Sequence, residues 1–230
     1  MREGLRVSVI VPTLNEAAYL PATLARVGLA PQDELIVVDG GSDDGTVAVA
    51  QRFTSQVLVT SPGRARQMNA GAQRAQGDVL LFLHADTLLP PDGVALVRAA
   101  MQPPEVVGGA FALAIVPATP ALRLVAWGAN WRTRLARLPY GDQALFVRRQ
   151  VFVELGGYAD WPFLEDVQLV RALRRRGRLA FIAQPVCTSA RRWQREGVLY
   201  TTLRNLALIT LFFCGVSPHV LKRWYASAPR

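Results

Sequence analysis

The chain is poor in the residues that staple small folds or thread them through membranes. Cysteine occurs twice among 230 residues, as Cys187 and Cys214, without Cys-X-X-Cys spacing, so neither a disulfide framework nor a structural zinc site is expected. That usage fits a reducing compartment, and the opening from Met1 to Arg6 leads into a strand pattern rather than a cleavable apolar segment, so a cytoplasmic location is expected. The longest apolar run, Leu206 to Val216, has 11 residues, against the about 20 that a membrane-spanning helix needs. No transmembrane segment is expected. Arg204, Lys222, Arg223, Trp224 and Tyr225 around that run keep peripheral membrane contact by residues 198–225 open.

Two nucleotide-binding signatures are missing as well. The first apolar segment is followed by Pro12-Thr13-Leu14-Asn15-Glu16, not by Gly-X-Gly-X-X-Gly, and no Gly-Lys-Ser/Thr loop occurs. This argues against dinucleotide-dependent oxidoreductases and P-loop ATPases. Zinc-finger spacing, an RNA-recognition motif and arginines interleaved with aromatics are absent too, so no nucleic-acid partner is expected. Lysine is nearly missing: Lys222 stands alone among 26 basic residues.

What the chain has is arginine, and it is unevenly placed. Residues 1–120 carry 8 basic and 11 acidic side chains, whereas residues 121–230 carry 18 and 6, so the second half is suited to anions. The first half alternates apolar strands (Val7 to Val11, Leu35 to Val38, Gln56 to Val59, Val79 to Leu83) with helical patterns (Glu16 to Val27, Thr46 to Phe53, Ala65 to Ala75). That order predicts an α/β fold with a mostly parallel, helix-covered sheet. After Met101-Gln-Pro-Pro the pattern becomes mixed, with strands at Gly108 to Ile115, Ala144 to Arg148 and Val186 to Ser189. Helices are expected at Leu122 to Leu135, Gln150 to Leu155, Glu165 to Arg176 and Val198 to Phe213. No linker or repeat separates the halves, so one domain over 1–230 is expected, in two parts, 1–115 and 116–230.

The polar residues that end these strands are the candidate site. Val79 to Leu83 runs into His84-Ala85-Asp86, which puts a carboxylate beyond the carboxyl end of a buried strand, where open α/β sheets bind ligands. Asp86 suits a divalent ion or a diphosphate, or it caps the next helix. His84 shares its side of the chain and either contacts the ligand or is satisfied in the core. Asp39 ends the second strand before Gly-Gly-Ser42-Asp-Asp-Gly-Thr, a carboxylate and flexible turn that suit a nucleoside, or simply make a turn. The spacing does not fit an EF-hand, because its sixth position is Asp44 and its twelfth is Ala50. Gly63-Arg64-Ala65-Arg66-Gln67-Met68-Asn69 starts a helix with free N–H groups and two guanidinium groups that match a diphosphate; helical geometry lets only one of Arg64 and Arg66 reach it. Glu165-Asp166 opens another helix and offers a general base, or simply acids at a helix N-terminus. Arg191-Arg192-Trp193 can close over a diphosphate, or be surface arginines beside a packing Trp.

Together, Val9-Ile-Val-Pro-Thr-Leu-Asn-Glu16, Val38-Asp-Gly-Gly-Ser-Asp-Asp-Gly-Thr46, Leu83-His-Ala-Asp86, Glu165-Asp166 and Arg191-Arg192-Trp193 resemble the family 2 glycosyltransferases of GT-A fold. The resemblance spans nearly the whole chain. It implies a Rossmann-like nucleotide half, an inverting reaction, and a UDP-sugar donor held by Pro12, Asn15, Glu16, Asp39 and Ser42. It further implies Mg²⁺ or Mn²⁺ on Asp86 as the last aspartate of an Asp-X-Asp motif, and Asp166 as base beside Glu165. His84 stands where that motif has its first aspartate, which implies a weaker metal site. The segments Gly63 to Gly71, Phe82 to Thr87, Gly141-Asp142-Gln143 and Ser189 to Trp193 look like a bacterial subgroup linked to arsenosugar and selenosugar biosynthesis. That likeness implies UDP-N-acetylglucosamine or UDP-glucose as donor and a small anionic acceptor, selenophosphate. It adds Arg64, Asn69, Ala85, Asp142 and Gln143 to the substrate-binding residues.

Overall fold

Alternating apolar side chains along the first strands feed two separate cores, which forces a sheet covered on both faces. Val7, Val9 and Val11 of β1 (Val7–Thr13), with Leu35 and Val37 of β2 (Glu34–Asp39), pack on one side, while Ile10, Ile36 and Val38 pack on the other. The computed structural model describes residues 4–226; residues 1–3 and 227–230, the outer ends of the expected 1–230 domain, lie outside the described residues. β3 (Val57–Val59) and β4 (Val79–Phe82) complete a parallel set, linked by α1 (Leu20–Ala25), α2 (Thr46–Ala50) and α3 (Arg64–Arg74).

Beyond β4 come β5 (Thr87–Leu88), α4 (Gly93–Ala100), β6 (Val106–Val116) and α5 (Pro120–Ala136). A 3-10 turn at Gly141–Gln143 leads into β7 (Phe146–Arg148), α6 (Arg149–Glu154), α7 (Glu165–Leu173), β8 (Arg178–Ser189), α8 (Arg191–Glu196), α9 (Val198–Phe213) and α10 (Pro218–Ala226). One eight-stranded sheet, ordered β3-β2-β1-β4-β7-β6-β8-β5, runs through both halves; β7 is antiparallel to β4 and β6, and β5 to β8. This is the mostly parallel α/β architecture expected from the sequence.

Several boundaries differ, each for a local reason. The helix expected from Glu16 begins only at Leu20, because Asn15 takes φ 55° and the chain turns through residues 16–19. The last strand spans 12 residues rather than 4; Pro185 conceals it, yet sits beside a register shift between Phe111 and Ala112 of β6, where its missing N–H is tolerated. The helix expected at Glu165 to Arg176 stops at Leu173, and the one at Thr46 to Phe53 stops at Ala50. At Gly71 of α3 an added Cβ would lie 2.5 Å from Ile10 Cγ2 and 3.1 Å from Val38 Cγ2, so glycine lets this helix seat directly on β1 and β2.

Glu34, 6% exposed, ties the parallel half together. Its carboxylate accepts from Ser8 Oγ at 2.6 Å, Gln76 N at 2.7 Å and Gln56 Nε2 at 3.0 Å, and pairs with Arg6 at 3.3 Å. Burial pulls its pKa up, but the Ser8 hydroxyl first, then the Gln76 amide, Gln56 and Arg6, bring it below the ordinary glutamate value. A depressed carboxylate pKa contributes stability that is present above the unfolded-state value and lost as pH falls through the folded-state value. Glu34→Gln is therefore expected to cost about 1–3 kcal/mol near neutral pH, with the gap to wild type closing below about pH 4. Chemical denaturation at both pH values reads this; a gap independent of pH would contradict it.

Candidate active site

The loops after β1, β2 and β4 meet at the carboxyl ends of these parallel strands, where open α/β sheets bind ligands. Asp39, buried at the end of β2, builds this rim. Its carboxylate accepts from Thr13 Oγ1 at 3.0 Å, Gly41 N at 2.9 Å, Ser42 N at 2.7 Å and Ser42 Oγ at 2.5 Å. Those four bonds use the acceptor sites of a carboxylate. Asp39 thus shapes the loop that would face a nucleoside, and Ser42 Oγ passes the order on by accepting from Asn15 N at 2.8 Å. The Asn15 side chain in turn accepts from Asp43 N at 3.1 Å. Pro12 precedes Thr13 in β1 and is half-buried under this loop.

A second group of charges gathers at the end of β4. Arg191, the first residue of α8, reaches back across the sheet: its Nε lies 3.1 Å from Asp86 Oδ2, and its other nitrogens hold both carboxylate oxygens of Glu16. The guanidinium also lies 4.7 Å from the Tyr19 ring centroid. His84 and Asp86 are half-buried, while Leu83, Ala85 and Thr87 between and beside them are buried, so both side chains face the same way. Burial first, then Arg64, Arg192 and Arg191, drive the His84 pKa down to about 3. The ring is neutral at physiological pH, with one nitrogen free to accept.

A third group lies across from these. Glu165, 2% exposed at the start of α7, pairs with Arg64 Nη1 at 3.5 Å. Asp166 is half-buried and accepts from Gly141 N at 2.6 Å. A Cβ on Gly141 would sit 3.2 Å from both Asp166 Oδ2 and His84 Nε2, so glycine lets these two functional groups face one another closely. Asp142 follows, with Oδ1 buried and without a hydrogen-bond partner. Its pKa is raised, by burial above all and by Asp166, against Arg132 and Arg64. Burial likewise raises Glu165, with Arg64 opposing and Asp166 reinforcing. Arg64 is the shared counter-ion: partial desolvation works against its charge, but Glu165, Asp166, Asp142 and Asp86 together raise its pKa. Arg66 instead points outward to Asp160 at 3.0 Å, so the two arginines diverge as expected.

Four candidates are occupied elsewhere. The Asn69 amide is bound to the Tyr158 backbone in both directions, at 2.8 and 2.9 Å. Gln143 is wholly buried, donating to Phe111 O at 3.0 Å and accepting from Thr133 Oγ1 at 2.9 Å. The Ala85 carbonyl accepts from Thr23 Oγ1 at 2.7 Å. Trp193 packs against the core under β1 and β4 and leaves only its indole N–H unpartnered. In all four, an amide, a carbonyl or an indole meets partners or packing inside the fold. Two further residues join these groups. Gln67 donates to Thr13 O at 2.7 Å and Val38 O at 2.9 Å, fastening α3 to the rim. Lys222 on α10 stands in the field of Arg64, Glu165 and Arg192.

The open sheet with its ligand rim at the strand ends is the GT-A architecture. Glycosyl transferase family 2, matched over residues 8–154, is the family to which this chain belongs. A PGL/p-HBAD biosynthesis glycosyltransferase of Mycobacterium bovis is 34% identical over 180 residues, 68% of this chain and 67% of that one. An undecaprenyl-phosphate 4-deoxy-4-formamido-L-arabinose transferase of Aeromonas hydrophila is 36% identical over 116 residues, 44% of this chain and 36% of that one. Among solved structures, a Pyrobaculum calidifontis mannosyltransferase in complex with GDP-Man and Mn²⁺ has a TM-score of 0.62 at 22% identity, over 82% of this chain and 57% of that one. S. aureus TarS in complex with UDP-GlcNAc has 0.65 at 15% identity, over 80% and 58%. The chain thus spans just over half the length of these solved relatives.

Whether the residues suit a divalent ion can be judged from their donors. Among the described residues no group of three or more His, Cys, Asp or Glu side chains forms a metal cage. Asp86 is a single carboxylate already holding a cation, the Arg191 guanidinium, beside a neutral His84. That set fits an ion of the Mg²⁺ or Mn²⁺ type, which takes one or two carboxylates and completes its shell with substrate phosphate oxygens and water.

Proposed function

We propose that the chain acts as one glycosyltransferase domain, residues 1–230, that moves a sugar with inversion from a UDP-sugar to a small anionic acceptor. UDP-N-acetylglucosamine or UDP-glucose is the proposed donor and selenophosphate the proposed acceptor, the product carrying a carbon–selenium bond. The observation that carries this reading is the gathering of opposite charges at the strand ends: Arg64 pairs with Glu165 and Arg191 with Asp86, and Arg64 also lies in the field of Asp166, Asp142 and Asp86. Such an array can neutralise a diphosphate and hold a base opposite it. The TarS complex with UDP-GlcNAc supports a UDP-sugar.

In this account the Asp39 loop and Asn15 orient the nucleoside, while Arg64 and Arg191 face the diphosphate. The acceptor's lone pair attacks the anomeric carbon as its bond to the diphosphate oxygen breaks, and UDP leaves with that electron pair. Asp166 takes the proton from an acceptor that still carries one. A divalent ion held by Asp86, when bound, supplies positive charge to the leaving diphosphate. Arg191, held by both carboxylate oxygens of Glu16, keeps its positive charge beside Asp86.

A lipid-phosphate acceptor is the second reading, favoured by two apolar stripes. Leu124, Trp127, Trp131 and Leu135 are exposed along α5, and Leu199, Leu203, Leu206 and Phe213 along α9. Neither helix holds an acidic residue, which suits an anionic bilayer surface. No helix among the described residues is long and apolar enough to cross a membrane. Mass spectrometry of products from several UDP-sugars with selenophosphate, hydroxyl and lipid-phosphate acceptors, with and without Mn²⁺, decides between the two. A product only from lipid phosphate, together with sedimentation on anionic vesicles, would replace selenophosphate by the second reading.

A further inference from the structure

One polar cluster is left unused by this account, between α8, α9 and α10. Arg204 has a side chain only 9% exposed and pairs with Glu196 through Nη2 at 2.7 Å, yet its Nε and Nη1 are buried without a hydrogen-bond partner. Oγ1 of Thr201 and Oδ1 of Asn205, nearby on the same helix, are buried and unpartnered too. Orphaned polar atoms at this density in a native interior point to a missing water, ion or ligand.

The charges identify which of these. Tyr225 of α10 is stacked on Phe163 at 4.5 Å, and three cations surround its ring: Arg204 at 4.9 Å, Arg192 at 5.0 Å and Lys222 at 5.6 Å. Among the described residues, Glu196 is the carboxylate that pairs with Arg204. Burial, Arg64 and Arg204 lower the Arg192 pKa against Glu196 and Asp86, and burial, Arg64 and Arg192 lower that of Lys222 against Glu165. Like charges brought together and desolvated cost free energy unless an anion joins them. Lys222 also lies in the field of Arg64 and Glu165, so the cluster neighbours the Arg64–Glu165 pair.

We propose that Arg192, Arg204 and Lys222, gathered around Tyr225, form an oxyanion subsite that holds the phosphate group of the acceptor near the Arg64–Glu165 pair. The proposal rests on the reading of the cleft as a glycosyltransferase site, and it commits to a dianionic phosphate-like group. Two guanidinium forks and one ammonium match the oxygens of such a group, and cation–π contact with Tyr225 holds the cations in place before it arrives. The chain's single lysine thereby has a task that its isolation in the sequence could not disclose.

Calorimetric titration of the full chain with inorganic phosphate, at saturating UDP, tests this. Phosphate is expected to bind together with UDP, and Lys222→Met and Arg204→Met to weaken it by about tenfold or more, with UDP affinity within about twofold of wild type. Arg204→Lys is expected to recover part of the loss, since it keeps the charge without the fork. Should Arg204→Met fail to fold, the half-buried Lys222 carries the test alone. Phosphate that is displaced by UDP, or that binds Lys222→Met as tightly as wild type, overturns the subsite. If UDP itself does not bind, the donor reading falls instead, and the Lys222 dependence of phosphate binding still decides the subsite. Vesicles bearing a phosphate-monoester headgroup give the second arm: retention that depends on Lys222, without binding of free phosphate, assigns the group to a lipid.

Discussion

The Asp166→Asn enzyme is expected to turn over about 10²- to 10⁴-fold more slowly than wild type with an acceptor that attacks through a protonated group. The amide oxygen can still accept from Gly141 N, which lies 2.6 Å from Asp166 Oδ2, while the bond that Oδ1 accepts from Val167 N at 2.8 Å is lost together with the proton acceptor. An acceptor already ionised at its attacking atom should show a far smaller loss, because little remains for a base to remove. The size of the effect thus reports acceptor chemistry as well as the role of Asp166, and KM for the donor should change little. Asp142 is the competing base: its pKa is raised by burial, and its Oδ1 has no partner. A carboxyl with a raised pKa becomes a base only as pH climbs past the ordinary aspartate range. If Asp142 serves, activity rises late on the acid side and Asp142→Asn abolishes it, while Asp166→Asn leaves most of it.

Loss of Asp86 should be comparably severe for a different reason. Asp86→Ala removes the carboxylate at the end of β4 that pairs with Arg191 at 3.1 Å and leaves that guanidinium to Glu16 alone. The leaving diphosphate then loses both its proposed ion and the order of the arginine facing it. A fall of about 10²- to 10³-fold in kcat is expected, the scale seen when one preorganised electrostatic group is removed. Titration with Mn²⁺ separates the two contributions: wild-type activity should rise with the ion and fall with a chelator, while the variant should respond to neither. Full activity in Asp86→Ala at any Mn²⁺ concentration would exclude the assignment.

Much of this site was legible because its acids stand at the ends of apolar runs. Asp39 and Asp86 follow strands whose alternate residues fill both cores, so strand pattern and polar ending are read together. The divergence of Arg64 and Arg66 follows from helical geometry alone. Partners distant in sequence were not legible. Asn69 is held by Tyr158, 89 residues away, and Gln143 donates to Phe111, 32 residues back, so both amides resembled ligand contacts until the fold supplied their partners. The Asp39 carboxylate accepts from Thr13, Gly41 and Ser42, partners that only the folded loop brings together. β8 was underestimated because Pro185 breaks its pattern, and only pairing with β6 across a register shift shows how the chain continues. Lys222 could not be placed, since its position depends on how α10 docks.

The central claim is that this cleft takes a sugar from a nucleotide and hands it to an anion. Product mass spectrometry with UDP-N-acetylglucosamine and selenophosphate, run beside the Asp86→Ala and Asp166→Asn variants, tests it most directly. The account predicts one UDP released for each sugar transferred by wild type, and little or none by Asp86→Ala. Intact donor after incubation of folded wild type with every nucleotide sugar and acceptor tried would contradict it.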